Sequence, residues 1–239
     1  MTPFPILKKR IPMKKLIKYK VLLLLLLLPL LGFYFKKHIA YNFLSGKVFR
    51  ITDNSGTATG FQVRYKNKIY LVTNHHVCKP LLSKIEIEVG EDGTPRLKQV
   101  IKQEVAKNLK ANKIRTKILY IDDKNDVCLL SPVSNYALNL GTIQRFEPIF
   151  IAGHPLGSTP IVISETSVVT RGCMDLPFLK RKCSPYMELD SMVFPGHSGS
   201  PLLDFLGNVV GIVFYRTGVT GRAVPVEDII RSIKTYESR

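Results

Sequence analysis

The sequence predicts an all-β barrel or sandwich closed by one helix and set behind an apolar N-terminal segment. Three observations predict it. From about residue 50 to residue 225, short β-like runs alternate with Gly, Asn and Pro, the pattern of many brief strands joined by turns. Helical spacing is clear only in "VPVEDIIRSIKTY", where Val226, Ile229, Ile230 and Ile233 fall on one face. No internal repeat is present, and the leucine run is the only low-complexity stretch.

That run divides the N-terminus. Residues 1–20 form a basic tail, 21–35 an uninterrupted apolar run and 36–50 a tether. The apolar run would rise roughly 22 Å as a helix, against about 30 Å of hydrocarbon. The lysines on both sides can snorkel, and Phe33, Tyr34 and Phe35 suit an interface. A cleaved signal peptide also has an apolar core of about 7 to 15 residues. Aromatics and Lys36–Lys37 follow this run directly, and no small-x-small site adjoins it, which favours an uncleaved anchor. The excess of positive charge ahead of the run keeps the N-terminus inside. Residues 51–239 would then stand on the extracytoplasmic side, or be secreted if cleavage occurs.

The strands follow in order. "GFQVRYKNKIYLVT" reads as strand, turn at Lys66–Asn67, strand, with Phe61, Val63 and Tyr65 alternating. "KIEIEVG" alternates cleanly, and "EPIFIAGHP", "TPIVISETSVVT" and "PYMELDS" are further strands. "PLLDFLGNVVGIVFY" reads as a hairpin turning at Leu206–Asn208. The lysine-rich stretch from Pro95 to Lys117 has mixed periodicity and predicts no element.

The net charge of +17 suggests nucleic acid, but eleven Lys or Arg and no Asp or Glu lie in the first fifty residues. The remainder holds twenty-four basic against eighteen acidic residues, a net of +6. Basicity therefore belongs mostly to the tail. No aromatic-interleaved basic ribbon is present, so a nucleic-acid partner is not expected. The four cysteines lack paired C-x-x-C spacing, and no metal site is expected. Cys173 and Cys183 bracket a loop-like segment and could be bridged in an oxidising compartment. Four reduced, buried thiols fit the sequence equally well, with Cys128 a core residue in "VCLLSP".

The chemistry centres on "VFPGHSGSPLLD", which places Ser198 between glycine-flanked positions just ahead of an apolar strand. A serine hydroxyl becomes a useful nucleophile only when a base takes its proton, and that base is usually a His oriented by a buried carboxylate. In "IYLVTNHHVC" an apolar strand ends at Thr73-Asn74, and His75 and His76 follow. "ILYIDDKNDVCLL" sends Asp126 directly into an apolar run, where a charge is costly without a hydrogen-bonded partner. Asp122 and Asp123 belong to a polar turn. His75, His76 and Cys78 are not read as a metal set, because neighbouring positions diverge and a fourth ligand is not evident.

These stretches resemble the trypsin-like serine proteases, most closely their HtrA-type branch. Thr73-Asn74-His75-His76-Val77 matches a T-N-x-H-V stretch and selects His76 as general base. Asp122 to Asp126 matches a D-x-x-x-D stretch and selects Asp126. Gly196 to Pro201 matches G-x-S-G-(G/S)-P and selects Ser198 as nucleophile. "GTATGFQV", "FIAGHPLGSTPIVISETSVVT", "PLLDFLGNVVGIVF" and "AVPVED" extend the likeness over most of residues 50–233. The resemblance implies two six-stranded antiparallel β-barrels of the chymotrypsin type with a short C-terminal helix and the triad between them. It implies endopeptidase action on protein or peptide substrates without a cofactor, and an oxyanion hole from the N–H groups of Gly196 and Ser198. Met192 would stand near the base of the primary pocket, with Val213, Phe214 and Tyr215 on the substrate-pairing strand, which suggests cleavage after small or medium apolar residues.

The departures are also informative. His197 stands where relatives often have Asn or Asp and is expected to face solvent. Ser200 replaces the commoner Gly, and His75 and His154 read as turn residues. About forty residues follow Ser198, too few for the PDZ domain that often accompanies this branch. A homo-oligomer, and an inactive peptide-binding module on the same fold, stay open.

Overall fold

A computed structural model of the protein describes residues 40–53, 56–89, 94–106, 108–143, 148–174, 183–217 and 220–239. The basic tail and the apolar run fall outside them, as does the tether up to residue 39. Among the described residues, no helix is long and apolar enough to cross a membrane. The chain divides into a unit at Met1–Ser45 and a larger one at Gly46–Arg239. The larger unit holds all the features below.

It is mostly β, with a chymotrypsin-like arrangement of two sheets and a C-terminal helix. The first sheet uses β1 (Val48–Thr52), β2 (Thr57–Tyr65), β3 (Lys68–Thr73), β6 (Lys110–Ala111), β7 (Ile114–Arg115), β8 (Ile118–Asp122) and β9 (Val127–Leu130), in the order β7-β6-β1-β2-β3-β9-β8. The second uses β10 (Ile149–Gly153), β11 (Val162–Thr166), β12 (Val168–Met174), β13 (Ser184–Leu189), β14 (Pro201–Leu203), β15 (Val209–Thr217) and β16 (Thr220–Pro225), in the order β11-β10-β14-β15-β16-β13-β12. Between β3 and β6 in sequence, β4 (Leu81–Val89) and β5 (Pro95–Gln103) form a separate two-stranded ribbon.

Each sheet thus has seven paired segments where six strands were expected. The extra segment is a bend. β11 and β12 stand at opposite ends of their sheet yet are separated only by Ser167, and β7 and β8 are separated only by Thr116 and Lys117. One bent strand therefore serves both ends of each sheet, which curls back on itself and leaves few open edges. The uncalled stretch from Pro95 to Lys117 holds β5, β6 and β7. β6 and β7 have two residues each, too short to carry a period, whereas the nine residues of β5 are lysine-rich and do not alternate.

Each sheet has its own core. Ile51, Leu71, Cys78, Leu109, Cys128 and Leu130 pack inside the first, and Ile149, Ile151, Met187, Leu189, Leu202 and Val213 inside the second. The connecting segment is stitched to both. Leu138 N donates to Gln62 O and Gly141 N to Val209 O, each at 2.8 Å. The closing helix, α2 (Val226–Glu237), carries Glu227 and Asp228 in its first turn and Lys234 in its last, each complementing the helix dipole. It also returns to the first sheet: Ser232 Oγ donates to Asp122 Oδ2 at 2.7 Å and Tyr70 Oη to Glu237 Oε1 at 2.9 Å.

Candidate active site

The strand β3 ends at Thr73, and a four-residue helix, α1 (His75–Cys78), starts immediately after Asn74. The turn between β8 and β9 carries the acidic residues. Asp122 organises it: its Oδ1 accepts from the N–H groups of Lys124 (3.0 Å) and Asn125 (3.2 Å), and its Oδ2 from Asn125 Nδ2 (2.7 Å) and Ser232. This local bonding is what Asp is suited to in turns. It sets Asp126 in a left-handed conformation, φ 49°, which Asp tolerates better than most residues.

Asp126 is wholly buried. Its carboxylate lies 3.3 Å from His76 Nδ1 through either oxygen, and its Oδ1 accepts the His76 backbone N–H at 3.3 Å. A buried carboxylate requires such partners. Burial pushes the His76 pKa down, but the charge and hydrogen bond of Asp126 outweigh it, and the net displacement is upward. The Asn74 side chain donates to Asp126 O at 3.2 Å, tying α1 to the same turn.

His75, read from the sequence as a turn residue, is the first residue of α1. It is 1% exposed, with Nε2 2.9 Å from Asp123 Oδ1 and Nδ1 3.8 Å from Asp126 Oδ1. Burial lowers its pKa, against the two carboxylates, and the net displacement is downward. It joins Asp123 to the buried Asp126, whose Oδ1 it shares with His76.

A second link binds α1 to this turn. Cys78 and Cys128 form a disulfide with Cα atoms 6.4 Å apart. Cys128 is the core residue expected, but it is not a thiol. Cys173 and Cys183 are also paired, Cα to Cα 4.8 Å.

The serine turn is built differently. Phe194 O accepts from His197 N at 3.0 Å around Pro195 and Gly196, and Gly196 has φ +93°. Pro at the second position and positive φ at the third define a type II turn. A Cβ on Gly196 would overlap His154 O, and one on Gly199, φ +83°, would overlap Thr59 O, so both positions require glycine. Leu156, on the 3-10 turn Pro155–Gly157, donates its N–H to Pro195 O at 2.6 Å. A trans peptide points its N–H opposite its C=O, so the Gly196 N–H is turned away from Leu156. Among the described residues, neither the Gly196 nor the Ser198 N–H donates to a protein acceptor.

Thr59 on β2 brings the two halves together, a role not visible in the stretch "GTATGFQV". Its N–H donates to Ser198 O at 2.8 Å, and its Oγ1 donates to Gly196 O at 2.7 Å while accepting from His154 N at 3.0 Å. Its carbonyl accepts from Thr73 Oγ1 at 2.8 Å, three residues before His76. The Ser198 turn is therefore two hydrogen bonds away from the strand that delivers His76. Among the described residues, the polar contacts of the His76 ring are with Asp126, and no hydrogen bond joins it to Ser198 Oγ. Nucleophile–base contacts are often long before substrate binds.

One expectation about this face changes. His197 does not face solvent: it is 3% exposed and its Nδ1 accepts the Phe194 N–H at 3.0 Å. The local pattern could not reveal this, because the acceptor is a ring nitrogen serving its own turn. Val213 is tied to the serine turn. Its side chain is buried in the second core, its O accepts from Gly199 N (2.8 Å) and its N donates to Ser200 O (2.9 Å), so it supports the serine turn. Met192 is half exposed, whereas Val193 is buried and packs over Gly221. A register shift between Val213 and Tyr215 leaves Phe214, itself buried, outside the ladder with β16. Tyr215 pairs with Arg222 through its backbone, and its side chain lies outside the described residues. His154 does pack in its turn, its Nδ1 bonded to Ser158 O at 2.7 Å. Among the described residues, no His, Cys, Asp and Glu cluster could hold a metal ion.

Comparison with known proteins bears on the same residues. A family model for the trypsin-like peptidase domain matches residues 58–212. The uncharacterised protein y4bJ of Sinorhizobium fredii is 28% identical over 182 residues, covering 75% of this chain but 25% of y4bJ, so the chain spans about a quarter of that relative's length. Among solved structures, the inactive form of Rv3671c from M. tuberculosis superposes with a TM-score of 0.60 at 16% identity, covering 82% of this chain and 90% of that one. The HtrA-type protease AlgW with a tripeptide gives 0.56 at 20% identity, over 81% and 62% of the two chains. A serine endoprotease from Yersinia pestis gives 0.55 at 16%, over 82% and 66%. At these identities the likeness is one of fold.

Proposed function

This chain belongs to the trypsin-like peptidase domain family, and from that membership we propose a serine endopeptidase with Ser198 as nucleophile, His76 as general base and Asp126 as its orienting carboxylate. The observation that carries the proposal is the buried Asp126 carboxylate on His76 Nδ1, in a frame that Thr59 ties to the Ser198 turn. His76 Nε2 takes the proton from Ser198 Oγ as that oxygen adds to the substrate carbonyl carbon. Asp126 stabilises the imidazolium, and the N–H groups of Gly196 and Ser198 receive the oxyanion. The C–N bond then breaks as His76 returns the proton to the leaving amine, leaving an acyl-enzyme on Ser198. Water attacks the ester with His76 again as base and regenerates the serine. No cofactor or metal enters these steps.

The direct test is treatment of the full chain with a fluorophosphonate, followed by mass-spectrometric mapping of the adduct. We expect the adduct on Ser198. A folded protein with no adduct would overturn the enzyme reading and favour a peptide-binding module.

The substrate preference we propose rests on Met192 and Phe214, apolar residues at the positions that the family resemblance assigns to substrate. Val193 is buried and packs over Gly221, beside the exposed Met192. The expected cleavage is after small or medium apolar residues, read from a peptide library. A preference for Lys or Arg would refute this. The reading also includes an uncleaved N-terminal anchor at residues 21–35, with the protease unit on the extracytoplasmic side. The two disulfides suit that compartment.

A further inference from the structure

We propose that the imidazole of His197 is a positioning residue that clamps the Phe194–His197 turn and thereby aims the Gly196 N–H at the substrate oxyanion. This rests on the serine-protease reading of the site. The clamp is double. Residue 197 grips residue 194 through both of its backbone groups: His197 N donates to Phe194 O, and Phe194 N donates to His197 Nδ1, each at 3.0 Å. Only Pro195 and Gly196 lie between. The ring is buried and tilted against that of Phe194, centroids 6.2 Å apart, which fixes its direction.

The clamp matters because of the turn type. Type I and type II turns differ mainly by a flip of the peptide between their two central residues. Here that peptide is Pro195–Gly196, and it carries the oxyanion donor. Proline is compatible with both forms, and glycine at the third position adopts either sign of φ. Neither residue therefore selects the orientation by its own conformational preference. The selection comes from outside the peptide: from Leu156 N on Pro195 O, from Thr59 Oγ1 on Gly196 O, and from His197 on both ends of the turn. An acceptor at Nδ1 requires the neutral ring with its proton on Nε2. Burial holds His197 below the ordinary histidine range and so favours the neutral ring.

The test uses the full chain and three substitutions. In Asn the amide oxygen is bonded to Cγ, as Nδ1 is in His, whereas in Gln it stands one bond further out. His197→Ala should lower kcat about 10- to 100-fold, up to the loss seen when an oxyanion donor is removed, with KM within about twofold. His197→Asn should recover most of that rate and His197→Gln should not. A second readout does not depend on activity. The Phe194 amide, followed by hydrogen exchange, should be protected in the wild type and in His197→Asn, and exposed in His197→Ala. Equal rates in the Asn and Ala variants, a loss confined to KM, or an unprotected Phe194 amide in the wild type would each overturn the clamp. A protected amide in a wild-type protein that takes no fluorophosphonate adduct would support the clamp and overturn the protease reading.

Discussion

Ser198→Ala and His76→Ala should each lower kcat by about six orders of magnitude, and the double variant should lower it no further. Residues that act in one proton transfer are not additive: once the nucleophile is gone, the base has no proton to take. Asp126→Asn should cost less, about 10⁴. It keeps the shape of the turn but removes the charge that orients and stabilises the imidazolium. The pH dependence separates this charge effect from simple misfolding. The base must be neutral to act, so activity falls as pH drops through the His76 pKa. In the wild type that pKa lies above the ordinary 6.5, because Asp126 outweighs burial. In Asp126→Asn the two upward contributions vanish and burial remains, so the acid limb of kcat/KM should move to lower pH. A limb that stays in place would show that the titrating group is not the His76–Asp126 pair.

The three residues proposed as the triad stand out in the sequence because each sits in a local pattern with a physical cost attached. Asp126 enters an apolar run, Ser198 follows a Pro-Gly turn, and His76 follows the end of a strand. The chain order then brings the three stretches to one frame. The helix and most of the longer strands were equally legible, since periodicity extends over enough residues to be counted. What escaped depends on contacts between distant residues. Ser232 meets Asp122 across 110 positions and Thr59 meets Gly196 across 137, and no local pattern marks either. His197 was misplaced for a related reason, and the hydrogen bonds of Val213 to the serine turn were not visible. Hydrogen bonds made by a ring nitrogen, or by a strand whose register shifts, do not follow from side-chain alternation. The separation of β7 from β8 and of β11 from β12 was hidden because a bend changes the partner of a strand without changing its composition.

The disulfide between Cys78 and Cys128 carries the largest expected effect on stability. It closes a separation of 50 residues, for which the chain-entropy relation gives about 4 kcal/mol. In a unit of this size that corresponds to a fall of roughly 10 °C in Tm. Cys173 and Cys183 are separated by 10 residues, and the same relation gives about 3 kcal/mol. The first staple should therefore matter more to stability, and its place in the site should make it matter more to activity. Cys78 lies two residues after His76 on α1, and Cys128, on β9, two residues after Asp126, so one bond fixes the distance between the two elements that hold the proposed base and its carboxylate. The His76–Asp126 contacts, at 3.3 Å, leave little room for those elements to separate. We expect Cys78→Ala with Cys128→Ala to lower Tm and also to lower kcat at temperatures where the fold persists. The double Ala variant at 173 and 183 should change Tm alone. Equal losses of kcat in both pairs would show that the rate follows global stability rather than the alignment of His76 with Asp126. An unchanged Tm on removing the first pair would show that the core of the first sheet, in which both sulfurs are buried, holds α1 to β9 without the bond.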